Sequence, residues 1–157
     1  MSHIRNRAIE GLHVGDTFSV SRTFRNEDVL QFAEISRDYN PVHFDERFAK
    51  VKSFTGPVCQ GLLVASLVTE IGGQIGWLAS EMDFKFLKPV YFGDTIKCDF
   101  TITDIGDGGN ARGEGIFRND VGATVLIGVV TGFIPGVKEK QVMKAMVEEG
   151  DPTNKVS

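Results

Sequence analysis

Asp38 and His43 stand five positions apart around an Asn40-Pro41 turn, and a carboxylate and an imidazole so spaced are the raw material of an acid/base pair. Proline disfavours the helical region for the residue before it, so Asn40 is expected in an extended or turn conformation, ending any helix that arrives from residue 27 to 36. The loop can then fold back and let both groups share one water. One group takes its proton while the other orients it or handles a second proton, which is what hydration and dehydration require. Singly, Asp38 reads as a turn residue bonding local backbone and His43 as a packed histidine. Their joint occurrence around an Asn-Pro turn is what brings the acid/base reading forward.

Two other features invite chemistry and are set aside. Cys59 has no base near it in sequence and reads as a small buried hydrophobe. The glycine-rich stretch 106–115 lacks phosphate-loop spacing and reads as hairpin punctuation.

The elements that must position these residues follow from patterning. Residues 16–24 alternate as a strand, with Phe18 and Val20 on one side. Asn26 is the expected N-cap of a helix with Glu27 and Asp28 in its first turn, and that helix delivers the chain to Asp38. A short helix is expected over 45–52 and irregular chain over 53–60, which contains Gly56-Pro57. Residues 61–78 read as one buried central helix, apolar on nearly every face and roughly 27 Å long. Strands follow around 82–86, 96–103, 111–118 and 123–133, joined by turns at 106–109 and 119–122. A strand, then helices, then four antiparallel strands indicates an α+β domain whose sheet wraps a central helix. The domain is expected over 1–137, with a tail over 138–157 that holds a short amphipathic helix and frays from 151.

Composition bounds the rest. The chain has 157 residues, 41 % of them hydrophobic, enough for one packed core. Net charge is -4 with dispersed Lys and Arg, so a nucleic-acid partner is not expected. The start, MSHIRNRAIEG, holds no apolar run of signal-peptide length, and the apolar region 62–78 is interrupted by Glu70, Gln74 and glycines. A cytoplasmic protein without a membrane partner is expected. Cys59 and Cys98 are too few for a disulfide framework and form no metal-type cluster with the three histidines, so reduced thiols and no metal are expected.

Three stretches of this sequence, 32–43 with Phe48-Ala49, 56–66 and 84–95, resemble the MaoC-like (R)-specific enoyl-CoA hydratases, a hotdog-fold family. The resemblance covers roughly residues 14 to 135. It implies that Asp38 and His43 activate the water that adds to C3 of a trans-2-enoyl thioester, with syn delivery of a proton to C2. It also implies that the Gly61 N–H stabilises the charge growing on the thioester oxygen. Asn40, Val58, Gln60, Leu63 and Thr69 are the expected substrate-binding residues. Gln60 departs from the histidine that many relatives carry before the glycine, and Thr69 stands where some carry serine. The expected partners are an acyl-CoA thioester and a second copy of the chain in a homodimer, with no cofactor. Lys85, Lys88 and Arg112 are charges without an assigned role toward the CoA phosphates. A thioesterase on the same fold, or a non-catalytic acyl-CoA-binding module, are the alternatives.

Overall fold

The computed structural model describes residues 3–155. In chain order the elements are α1 (His3–Glu10), β1 (Thr17–Thr23), α2 (Asn26–Ser36), a 3-10 turn (Pro41–His43), α3 (Glu46–Val51), α4 (Gly61–Ala65), α5 (Leu67–Ile75), β2 (Leu78–Phe86), β3 (Thr95–Ile105), β4 (Asn110–Arg118), β5 (Thr124–Phe133) and α6 (Val137–Glu148). The five strands form one antiparallel sheet in the order β1-β3-β4-β5-β2. The expected hotdog architecture is what forms, with the sheet curling around α4 and α5.

Period-2 alternation sets the core. On β3, Ile96, Cys98, Phe100 and Ile102 face inward, and the register sets Phe100 opposite Phe18 and Cys98 opposite Val20 and Phe117. Ile71 and Ile75 of α5 meet this face together with Phe117 and Leu126, all essentially without solvent contact. Each such side chain contributes about 2 kcal/mol by leaving water. β2 differs: it is one of the two sheet edges, with β1 at the other, and nearly every residue along it is exposed.

Several boundaries depart from expectation for local reasons. The helix expected over 61–78 breaks at Ser66, whose Oγ donates to the Leu63 carbonyl at 2.5 Å, while Thr69 Oγ1 donates to the Ser66 carbonyl at 2.6 Å. Hydroxyls bonding back to the preceding turn compete with the helical ladder. α5 then stops at Gly76, which takes the left-handed conformation with φ 81, so Leu78 starts a strand four residues before Met82. The N-cap of α2 is Arg25 rather than Asn26, and the Asp28 carboxylate accepts the Arg25 N–H at 2.9 Å.

The stretch before residue 16, to which sequence patterning assigns no element, contains α1. Arg5 on it is buried, donating from Nε to the Gln74 carbonyl at 2.7 Å and from Nη2 to the Gly73 carbonyl at 3.1 Å. α6, at the expected tail, packs against α1 and sends Met143 into the core. The expected fraying from 151 does not hold for 151–155: Arg5 Nη1 donates to Asp151 Oδ2 at 2.6 Å, and Thr153 receives the Gln74 amide. Residues 156 and 157 lie outside the described residues. Among the described residues no helix is long and apolar enough to cross a membrane.

Candidate active site

The loop after α2 is held by its own short side chains. Arg37 takes the left-handed conformation and its N–H caps α2 on the Ala33 carbonyl at 2.8 Å. The Asn40 N–H donates to Asp38 Oδ1 at 3.2 Å, and Asn40 Oδ1 in turn accepts the Val42 N–H at 3.1 Å, opening the 3-10 turn that carries His43. This sequence of Asx turns folds the loop back. Asp38 Oδ2 and His43 Nε2 finish 3.4 Å apart.

The protonation of the imidazole follows from its other nitrogen. His43 Nδ1 lies 2.6 Å from the Val58 carbonyl, and a carbonyl only accepts, so Nδ1 carries the proton. In neutral His43 the Nε2 lone pair therefore faces Asp38 Oδ2. Two acceptors at this separation call for something between or beside them that donates to both: a shared proton, or a water.

Asp38 opens onto a cavity of about 460 Å³ whose lining also includes Phe54, Val58, Gly61, Leu62 and Phe86. His43 sits behind this wall, its side chain 9 % exposed against 42 % for Asp38. Val58 is fixed by its N–H to the Val42 carbonyl and by the neighbouring Cys59 N–H to the Val90 carbonyl. Gly61 is the first residue of α4, where backbone N–H groups have no carbonyl one turn back. A Cβ on Gly61 would lie 2.6 and 2.8 Å from the Phe86 ring, so the ring occupies the space that only glycine leaves.

The remaining expected site residues go elsewhere. Gln60 is 1 % exposed and its Nε2 donates to the Val29 carbonyl at 3.0 Å, so it ties α4 to α2 instead of facing the cavity. Leu63 is packed in the core, and Leu62, one position earlier on the helix, presents its side chain to the cavity. Asn40 shapes the loop and does not line the cavity. Thr69 lines a second, separate cavity of about 230 Å³ with Val68, Gly72, Trp77, Met82 and Phe100. Phe54, Phe86 and Lys88 are cavity residues that sequence reasoning missed as site residues. Phe86 ends the strand expected over 82–86, and the resemblance over 84–95 covers it without assigning it a role. Burial, with the charges of Asp94 and Asp28, pushes the Cys59 thiol up to about 12, so no thiolate is present at neutral pH.

Known proteins share this fold and parts of this sequence. The (R)-specific enoyl-CoA hydratase of Aeromonas caviae is 33% identical over 98 residues, which are 60% of this chain and 73% of that protein. The mitochondrial 3-hydroxyacyl-[acyl-carrier-protein] dehydratase of Arabidopsis thaliana is 37% identical over 87 residues, 54% of this chain and 52% of the plant protein, so the match spans about half of its length. The solved structure of the (R)-hydratase from A. caviae involved in PHA biosynthesis superimposes with a TM-score of 0.75 at 28% identity, covering 80% of this chain and 99% of that one. The model of the MaoC like domain matches residues 13–123, and the chain belongs to that family.

Proposed function

We propose that this protein adds water reversibly across the double bond of a trans-2-enoyl thioester, giving the (R)-3-hydroxyacyl thioester. The observation that carries the reading is the approach of Asp38 Oδ2 to His43 Nε2, 3.4 Å, on one side of a cavity that has the Gly61 backbone in its lining. A water bonded to both groups gives one proton to Nε2 or Oδ2 as its oxygen bonds to C3. The water's other hydrogen stays on the new C3 hydroxyl, and the pair passes the proton it has taken up to C2 on the same face. Meanwhile the thioester oxygen gains charge, which the Gly61 N–H stabilises as donor. The relatives named as hydratase and dehydratase carry out the two directions of this equilibrium.

The proposed assembly is a homodimer paired through β2. This edge strand exposes Leu78, Met82 and Phe86, and an unpaired apolar edge is a liability for a lone protomer. The Gly61 cavity adjoins the end of β2 at Phe86, and the Thr69 cavity adjoins its start at Ala79 and Met82. Antiparallel pairing of two β2 strands brings one copy's first cavity beside the other's second, which gives Thr69 a route to the substrate's acyl end. Fatty-acid metabolism in the cytoplasm is the proposed setting, supported by two free buried thiols.

The test is the loss of enoyl-thioester absorbance with crotonyl-CoA, comparing the wild type with Asp38→Asn and His43→Ala after each is shown to be folded. Each substitution is expected to lower kcat by about 10³-fold, with an (R)-3-hydroxyacyl product from the wild type. Free thiol release without hydration would replace this reading by a thioesterase. Binding without turnover in all three proteins would replace it by a binding module.

A further inference from the structure

Arg37 holds a backbone conformation that glycine adopts freely and a side chain bearing a Cβ adopts at a cost, with φ 62 and ψ 20. Among the described residues, two non-glycine positions have positive φ: Arg37 and Ser53. Each immediately precedes a residue that lines the main cavity, Asp38 in the first case and Phe54 in the second. Both turns follow a helix and lead directly into a cavity-lining residue. At Ser53 the side chain is small and polar; at Arg37 it is the most strongly cationic side chain available.

The Arg37 guanidinium has no carboxylate to answer it. Elsewhere Arg7 meets Asp16, Arg22 meets Asp28, Arg47 meets Asp45, Arg112 meets Glu114 and Arg118 meets Asp99, all within 4 Å. Among the described residues Arg37 has no ion pair and no side-chain hydrogen bond, and it is exposed. Of the carboxylates nearby in sequence, Asp38 is held by Asn40 and His43 and Asp45 by Arg47, while exposed Glu34, three positions back on α2, makes no ion pair with Arg37 among the described residues. Lys88, exposed and likewise without a carboxylate, lines the same cavity from the β2–β3 connection. Lys52 stands two residues before Phe54, its ammonium 5.8 Å from the Phe48 ring centre. Lys88 thus lines the cavity itself, and Arg37 and Lys52 stand one and two residues before the lining residues Asp38 and Phe54.

We propose that Arg37 and Lys88 form an anion-binding rim that anchors a phosphate of the substrate's pantetheine arm. The inference rests on the thioester reading, since an acyl group inside the cavity sends its thiol arm out through this mouth. Guanidinium takes phosphate oxygens through two parallel N–H bonds, and the ammonium adds a point charge. The backbone cost at Arg37 is then a stability loss kept for binding.

The experiment compares crotonyl-CoA with crotonyl-N-acetylcysteamine, which lacks every phosphate, in the wild type, Arg37→Gly, Arg37→Lys and Lys88→Ala. For Arg37→Gly the ratio of kcat/KM on the CoA thioester to that on the truncated one should fall about tenfold, and the salt dependence of the CoA reaction should flatten. Its Tm should rise by about 2 °C as the strain at φ 62 is relieved. Arg37→Lys should keep most of the ratio, and Lys88→Ala should lower it. An unchanged ratio in Arg37→Gly, or an equal loss on both thioesters, overturns the proposal, the second by showing that Arg37 only sets the Asp38 loop. Crotonyl-acyl carrier protein separates the sources: a loss on it as well as on CoA assigns the phosphate that both arms share, and a loss on CoA alone assigns the nucleotide's phosphates. Failure of the hydratase reading looks different, because the wild type then turns over neither thioester. Calorimetry with free CoA still decides the rim in that case, by an affinity about tenfold weaker in Arg37→Gly or an equal one.

Discussion

The two ends of the α4–α5 segment are treated in opposite ways. At its C-terminal end the Gly73 and Gln74 carbonyls take bonds from buried Arg5, and the Gly76 and Trp77 N–H groups both return to the Gly72 carbonyl. At its N-terminal end Gly61 faces a cavity, and no acidic side chain sits in the first turn to take up the free N–H groups. Orphan backbone groups at a helix end cost stability unless something satisfies them. Where the chain itself supplies the partners, the end is structural. Where it leaves donors facing an opening, water or a ligand completes them.

Removing the partner from the closed end should have the largest effect. Arg5→Ala leaves the Gly73 and Gln74 carbonyls without their Arg5 donor, while Asp151 keeps its bonds from Thr153, and the two carbonyls should cost about 3 kcal/mol. Urea denaturation reads this directly. Turnover per folded molecule should hardly change, since Arg5 lies at the far end of α5 from Gly61. A loss of turnover at full folding would mean that the two ends are coupled and that the contrast between them is wrong.

Filling the open end should act on activity in place of stability. In Gly61→Ala the new methyl meets the Phe86 ring at 2.6 Å, and Phe86, at a half-exposed sheet edge, yields into the cavity. The expected loss in kcat/KM is about a hundredfold, equal to about 2.7 kcal/mol of transition-state stabilisation. Adding Phe86→Leu to the same chain returns space and should recover part of it. Unaltered kcat/KM in the single variant would remove Gly61 from the reacting site.

The contrast also explains what the sequence disclosed. β3, α2 and the Asp38–His43 loop are governed by near neighbours: alternation, an N-terminal acid, Asx turns. They were legible within a residue or two. Val58 and Gly61, which the family resemblance assigned to the site, both line the cavity. The closed end was not, because α1 owes its place to Arg5 meeting Asp151, 146 positions away. Nor was the break at Ser66, where hydroxyl bonds outweigh an apolar pattern that reads as continuous. Gln60 and Leu63 show a finer limit. Which way a side chain leaves the start of a helix depends on what α2 offers, here the Val29 carbonyl for Gln60. Phe86 and Lys88 join the site only once β2 has been laid at the sheet edge, and a single sequence does not give the strand order. The sign of φ at Arg37 is equally hidden in a residue that ordinarily avoids it.

A smaller effect sharpens the comparison between two helix starts. The first turn of α2, unlike that of α4, carries its own anion. Asp28 accepts the Arg25 N–H at 2.9 Å and an Arg22 Nη2–H at 2.6 Å. Burial works against its charge, but the Arg25 N–H and the Arg22 guanidinium outweigh it and hold the carboxyl below the usual carboxylate range. A depressed folded-state pKa contributes stability that is present above the unfolded value of about 3.9 and is lost as pH falls through the folded value. Asp28→Asn should therefore cost about 1 kcal/mol at pH 7. The difference from the wild type should shrink below about pH 4, as the wild-type carboxyl takes up its proton. Denaturant midpoints across pH 2 to 7 would follow it. A gap that stays constant to the lowest pH would mean that Asp28 acts through shape alone, and that charge does not distinguish the closed start of α2 from the open start of α4.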